Sequence, residues 1–321
     1  MRTFILLFIF FLAFPLISCG SGDDYYFDVL EKTENSSELL KDFNNNPLNI
    51  CSFTDGFNVI DFSIYMKQNS SGSVQGCACY GNYLFQFQDG FRNIFIYNLK
   101  TKEYIKKLEY DLQSLYHCNN ANFSTKFYSN EDQFPLLYVS QQNNTVHQTL
   151  VYRLTGDSID NINLNLVQTI IGPTPTIDNH MNCQDCIVDG DNGYLYLYAP
   201  HRCEEFESSL YIVKYKLPSL DESIKQLKDE DICGSVYYDK KNSSPQGAIY
   251  YNGLIYIVKG VPGWNENVYL DIVDFDKKEV CSINMTEKGF KKEPEGLCIF
   301  EDRLICATNG SGIYCLNLIN N

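Results

Sequence analysis

The chain has 321 residues, 44% hydrophobic and 14% aromatic, with a formal net charge of −15. So many burial-prone side chains can offset the entropy of ordering, which excludes disorder for most of the length. The 24 tyrosines and 21 phenylalanines, with many Ile and Val, favour strands over helices, and so acidic a chain will not track phosphate backbones, which excludes nucleic acid as a partner.

The first residues carry an address. Met1-Arg2 is a minimal positive region, and the apolar run at residues 4–17 has the length of a signal-peptide core and is too short to span a bilayer. It ends in Leu16-Ile17-Ser18-Cys19, which resembles the lipobox of bacterial lipoproteins. That resemblance implies residues 1–18 as a signal peptide and Cys19 as the lipidated anchor. The alternative is an ordinary secretory signal cleaved nearby. Gly20-Ser21-Gly22-Asp23-Asp24 resembles the export signal of Bacteroidetes surface lipoproteins, which implies an outer-membrane, surface-exposed location. No later apolar run approaches the ~18 residues of a span, so membrane contact is expected through lipidated Cys19 only. Residues 19–47 are polar and read as anchor plus flexible tether, leaving residues 48–321 as the folded domain.

An internal repeat organises that domain. Gln75-Gly76, Gln246-Gly247 and Glu295-Gly296 each open a short apolar strand, a tight turn and a second apolar strand. The turns fall at Gly81-Asn82, Asn252-Gly253 and Glu301-Asp302, and such pairs between alternating runs signal hairpins. A fourth copy opens at Gln184-Asp185 and a degenerate fifth runs over residues 119–140. A third alternating strand follows each copy, and a more polar fourth follows some, as at residues 104–110 and 279–285. Strand after strand in five copies is the meander of β-propeller blades. The reading is all-β: a five-bladed propeller with four-stranded antiparallel blades, or six blades if one more copy is badly degraded. Residues 56–67 would close the last blade as an N-terminal outer strand. A β-sandwich or a pair of barrels is the rival architecture.

The blade pattern resembles five-bladed propellers of the helveticin type and the receptor-binding propellers of Gram-positive phages, where blades also open with Gln-Gly or Glu-Gly. The resemblance covers residues 73–318 and implies recognition of a surface polysaccharide. It carries no catalytic signature.

In a propeller, the starts of the inner strands and the loops between second and third strands share one face. That sorts the unusual residues. Gln75, Gln184, Gln246 and Glu295 begin inner strands; His117 and His180 precede them; His147, His201, Arg202 and the single tryptophan, Trp264, fall in the loops. Amides, imidazoles and a guanidinium around an apolar ring suit a neutral or acidic sugar. The bland reading is that the carboxamides bond neighbouring blades and the glycines allow close backbone approach.

Chemistry is less legible. A glycosidase needs two facing carboxylates; Glu293, Glu295 and Asp185 could supply them, though nothing local fixes their separation. No P-loop, zincin or dinucleotide motif occurs, so no catalytic residue and no cofactor is assigned. Cys183-x-x-Cys186 has zinc-knuckle spacing without a second ligand pair, and no metal is assigned. Asp271, Asp274 and Asp276 read as a solvated outer strand. Of 13 cysteines, Cys19 is expected to take the lipid. Cys77, Cys79, Cys298, Cys306 and Cys315 sit in apolar runs as core thiols, with room for one or two bridges. The expected function is a non-catalytic module for a glycan or an envelope protein, binding through the channel-mouth face. A glycan hydrolase or lyase using rim carboxylates, or a scaffold of an envelope complex, is the alternative.

Overall fold

The computed structural model describes residues 28–29, 31–32, 73–88, 93–109, 117–142, 147–172, 185–201, 208–309 and 312–316. The signal segment, Cys19 and residues 56–67 lie outside them. The chain is a five-bladed β-propeller. Five sheets follow one another along the sequence, and four of them have a four-stranded antiparallel meander at their core.

Blade 1 comprises Val74–Tyr80, Tyr83–Gln88, Asn93–Asn98 and Glu103–Glu109. Blade 2 comprises Ala121–Phe123, Leu137–Gln142, His147–Thr155 and Asn163–Ile171. Blade 3 takes Asp185–Asp189, Tyr194–His201, Ser209–Lys216 and Ile232–Asp239. Blade 4 takes Pro245–Tyr251, Leu254–Lys259, Tyr269–Asp274 and Glu279–Asn284. Blade 5 has three strands among the described residues, Pro294–Phe300, Arg303–Thr308 and Gly312–Leu316.

Short parallel strands extend three outer edges. Ile224–Gln226, from the connection inside blade 3, pairs with the fourth strand of blade 2 and latches the two blades together. Asp28–Val29 and Glu31–Lys32, within the stretch expected as tether, pair with the outer strands of blades 3 and 4 respectively.

The hairpins form where the turn chemistry demands. Asn252 and Gly253 both have positive φ (50° and 85°), the twist a tight antiparallel turn requires. Glu301 and Asp302 adopt the same left-handed backbone (48° and 57°) without a glycine, so the blade-5 turn is held in a strained conformation by its strands.

Alternation then sends the two faces of each blade into two different cores. Phe85, Ile94 and Ile96 of blade 1 pack on Leu137, Leu150 and Tyr152 of blade 2. Tyr138 and Val151 of blade 2 meet Leu195, Leu197 and Val213 of blade 3. Tyr196, Tyr198 and Ile212 join Ile255, Ile257 and Val273, and Leu270 and Ile272 join Leu297, Leu304 and Leu316. The fifth core, Val74, Phe95 and Tyr97 with Phe300, Ile305 and Ile313, joins blade 1 to blade 5 and completes the ring.

Candidate functional site

The axis comes first, because it decides whether the ring has an open bore. Gln75, Gln246 and Glu295 do begin inner strands, and each sits at a β-bulge where its strand carries one residue more than its partner. The bulge brings the following glycines against the next blade. A Cβ on Gly247 would lie 2.3 Å from Gly296 Cα, and one on Gly76 would lie 2.8 Å from Asn120 Cα. Only glycine permits that approach. All three polar side chains are buried, Gln75 at 4%, Gln246 at 7% and Glu295 at 1% exposure. Gln86 Nε2 donates to the Gln75 and Gly76 carbonyls, and the Tyr198 hydroxyl donates to the Gln246 carbonyl, so these strand starts are tied to their own and neighbouring blades.

Asn120 and Asn122 fill the axis. Asn120, from blade 2, donates through Nδ2 to Cys186 O of blade 3 (2.7 Å) and Ala248 O of blade 4 (2.9 Å), and accepts from Ala248 N at 3.1 Å. Asn122 donates to Ala248 O at 3.0 Å and accepts from Val188 N at 3.2 Å. One carboxamide pair thus bridges three blades. Sequence reasoning read residues 119–140 only as a degenerate hairpin and missed this role; the signal was an Asn-x-Asn spacing that puts both amides on one side of an inner strand.

The rim offers a different surface. Trp264 stands 72% exposed on a short 3-10 turn, Pro262–Trp264, between the second and third strands of blade 4. Its loop is pinned. Glu266 Oε2 accepts from Ser244 N (2.8 Å) and Val261 N (2.9 Å), and Oε1 accepts from Ser244 Oγ (2.9 Å). Ser243 Oγ donates to Asn267 O at 2.9 Å and Gly260 N to Ser244 O at 2.8 Å. Four of these hydrogen bonds stitch the loop to the connection that enters blade 4, the Val261–Glu266 bond closes the loop on itself, and Asn265 beyond the turn takes the left-handed conformation that ends it. A rigid, solvent-facing indole next to exposed Asn265 and Asn267 can stack on an apolar ligand face while the amides donate and accept.

The remaining expected residues divide. His117 is half-buried just ahead of the blade-2 inner strand, and His147 and His201 are strand residues at the ends of Leu137–Gln142's and Ser209–Lys216's partner strands. His180, Gln184 and Arg202 lie outside the described residues. Among the carboxylates, Asp185 is buried and accepts from Asn119 Nδ2 at 3.2 Å, Glu295 is buried, and Glu293 accepts from Asn309 Nδ2 at 3.0 Å.

Asp271 requires a correction. It does not lie on a solvated outer strand: it is fully buried on the third strand of blade 4, and its Oδ2 sits 2.5 Å from Nζ of the equally buried Lys259. The Tyr238 hydroxyl donates to Oδ2 (2.7 Å) and Ser282 Oγ to Oδ1 (2.6 Å). Lys259 Nζ also donates to Lys240 O at 3.2 Å. Burial pulls the Lys259 ammonium down from its ordinary value while Asp271 pulls it up. The sequence signal was a Lys and an Asp on apolar strands that pair with one another, Leu254–Lys259 and Tyr269–Asp274.

No family model matches the chain, and no curated protein matches it. Solved structures similar to it are distant. Myxococcus xanthus glutaminyl cyclase matches over 75% of this chain and 88% of its own, at 11% identity and a TM-score of 0.43. Kuenenia stuttgartiensis hydrazine synthase matches over 76% at 11% identity and a TM-score of 0.41. The chain spans 64% of that protein's length, under two thirds. A β-propeller domain from Myceliophteria thermophila matches at 10% identity, over 76% of this chain and 82% of its own, with a TM-score of 0.41. Likeness at this level carries no functional argument, and the fold assignment rests on the five sheets themselves.

Proposed function

We propose that the protein is a lipid-anchored propeller of the cell envelope, acting as a non-catalytic binding module whose ligand, a glycan, stacks on Trp264 at the rim of blade 4. The observation that carries the reading is an indole 72% exposed on a loop fastened by Glu266. An exposed indole offers a flat apolar face with a polar N–H handle on which a sugar ring can stack, and a pinned loop loses little further entropy on binding. The lipobox-like Leu16-Ile17-Ser18-Cys19 supports the anchor, and the blade pattern supports a binding role, which propellers serve in general. The burial of Asp185 and Glu295 favours binding over hydrolysis, which needs two carboxylates able to reach a sugar.

A second reading has its own observation. An axis bridged by Asn120 and Asn122 favours a rigid scaffold that docks an envelope protein by its outer surface. Trp264 is the chain's only tryptophan, so its fluorescence separates the two. Stacking under a sugar shifts emission to the blue on titration with envelope polysaccharide. A scaffold leaves the spectrum unchanged in polysaccharide and retains a protein partner after Trp264→Ala.

A further inference from the structure

Among the described residues, no chain segment crosses the joint between blades 1 and 5. It holds by the fifth core and by two inner strands side by side, and blade 5 contributes only three strands among the described residues. Gly296 lies level with Cys77: a Cβ there would fall 2.6 Å from Cys77 N and 2.7 Å from Cys77 Sγ. Two residues further along each strand, Cys298 lies level with Cys79. Their Sγ atoms are 2.7 Å apart. Ordinary van der Waals neighbours sit about 3.5–4.0 Å apart and bonded sulfurs about 2.05 Å, so this pair is inside non-bonded contact and one small side-chain rotation from a bond. We propose that Cys79 and Cys298 form a disulfide that closes the ring covalently, fastening the first blade to the last.

The chemistry balances with a low-molecular-weight disulfide as oxidant. The Cys79 thiolate attacks one sulfur of the oxidant, forming a mixed disulfide and expelling one thiol. The Cys298 thiolate then displaces the second thiol, which leaves the Cys79–Cys298 bond and two reduced small thiols carrying the two protons. Cys79 is the entry point, being half-buried while Cys298 is fully buried. Burial raises both thiols above their ordinary value, so the bond forms as the joint assembles rather than after it is sealed. An exported chain meets such an oxidant outside the cytosol. The two cysteines are 219 positions apart, and a bond spanning so long a loop constrains the unfolded chain strongly.

Cys77 also hydrogen-bonds Cys298 and is the competing partner. The test incubates the full chain with oxidised glutathione, alkylates it under denaturing conditions and maps its peptides by mass spectrometry. The expected result is one cross-linked pair joining the Cys79 and Cys298 peptides, retained in Cys77→Ser and lost in Cys79→Ser. The oxidised protein should also melt about 10 °C above the dithiothreitol-reduced protein. Recovery of Cys79 and Cys298 both alkylated, or of Cys298 linked to Cys77, overturns the proposal. The map of the unmutated chain decides the matter even if a variant fails to fold.

Discussion

The Asn120 side chain accepts one hydrogen bond and donates two across the axis, and its removal leaves buried backbone groups without that partner. Asn120→Ala strands the Ala248 N–H and the Cys186 carbonyl, whereas the Ala248 carbonyl keeps Asn122. Two buried orphans cost about 3 kcal/mol together, to be read as a lowered urea midpoint at unchanged slope; a change under about 1 kcal/mol would mean the amide is dispensable. Cys186 and Cys281 titrate at this scale too. Burial, the largest influence on each, pushes both thiols up to about 11. A raised folded value means the folded chain keeps protons that the unfolded chain releases. Their contribution is therefore complete below about pH 9, the unfolded value, and is lost as pH rises toward 11. Unfolding free energy measured from pH 8 to 11 should fall steeply, by up to about 3 kcal/mol for Cys186 alone, and Cys186→Ala should flatten the slope.

At the level of elements, the inner-strand bulge explains why Gln-Gly and Glu-Gly recur. Gly247→Ala pushes a methyl into Gly296 backbone at 2.3 Å, and both strands would have to shift. The variant should lose several kcal/mol or fail to fold, as judged by far-UV circular dichroism and thermal melting, while Gly263→Ala, which meets nothing within 4 Å, should match the parent. Equal stability of the two would sink the close-approach account. The repeat was legible because its parts obey local rules: a glycine where backbones touch, Asn252-Gly253 where φ is positive, and apolar alternation that survives divergence. Asn120, Asn122, Lys259 and Asp271 were not legible as core, since each is a polar residue whose partners come from other strands or blades. Alternation identifies a face, but it says nothing of which polar group waits across it.

The whole molecule is a ring in which every blade shares a core with both neighbours, so no blade is independent of the rest. Such closure yields a rigid platform whose loops can be displayed without tightening the fold around a ligand. Five blades followed from the sequence pattern, as did the polar fourth strands expected at residues 104–110 and 279–285 and found at Glu103–Glu109 and Glu279–Asn284. The pairing of Asp28–Val29 and Glu31–Lys32 with blades 3 and 4 did not, because two-residue parallel strands leave no periodic trace. Among the described residues, Trp264 is the most exposed large hydrophobic side chain, and the account stands on it. The direct test is a glycan array probed with detergent-solubilised full-length protein beside its Trp264→Ala variant. The account predicts binding to a defined set of glycans that falls at least about tenfold in the variant with melting temperature unchanged. Silence across the array, or binding that survives the substitution, would contradict it.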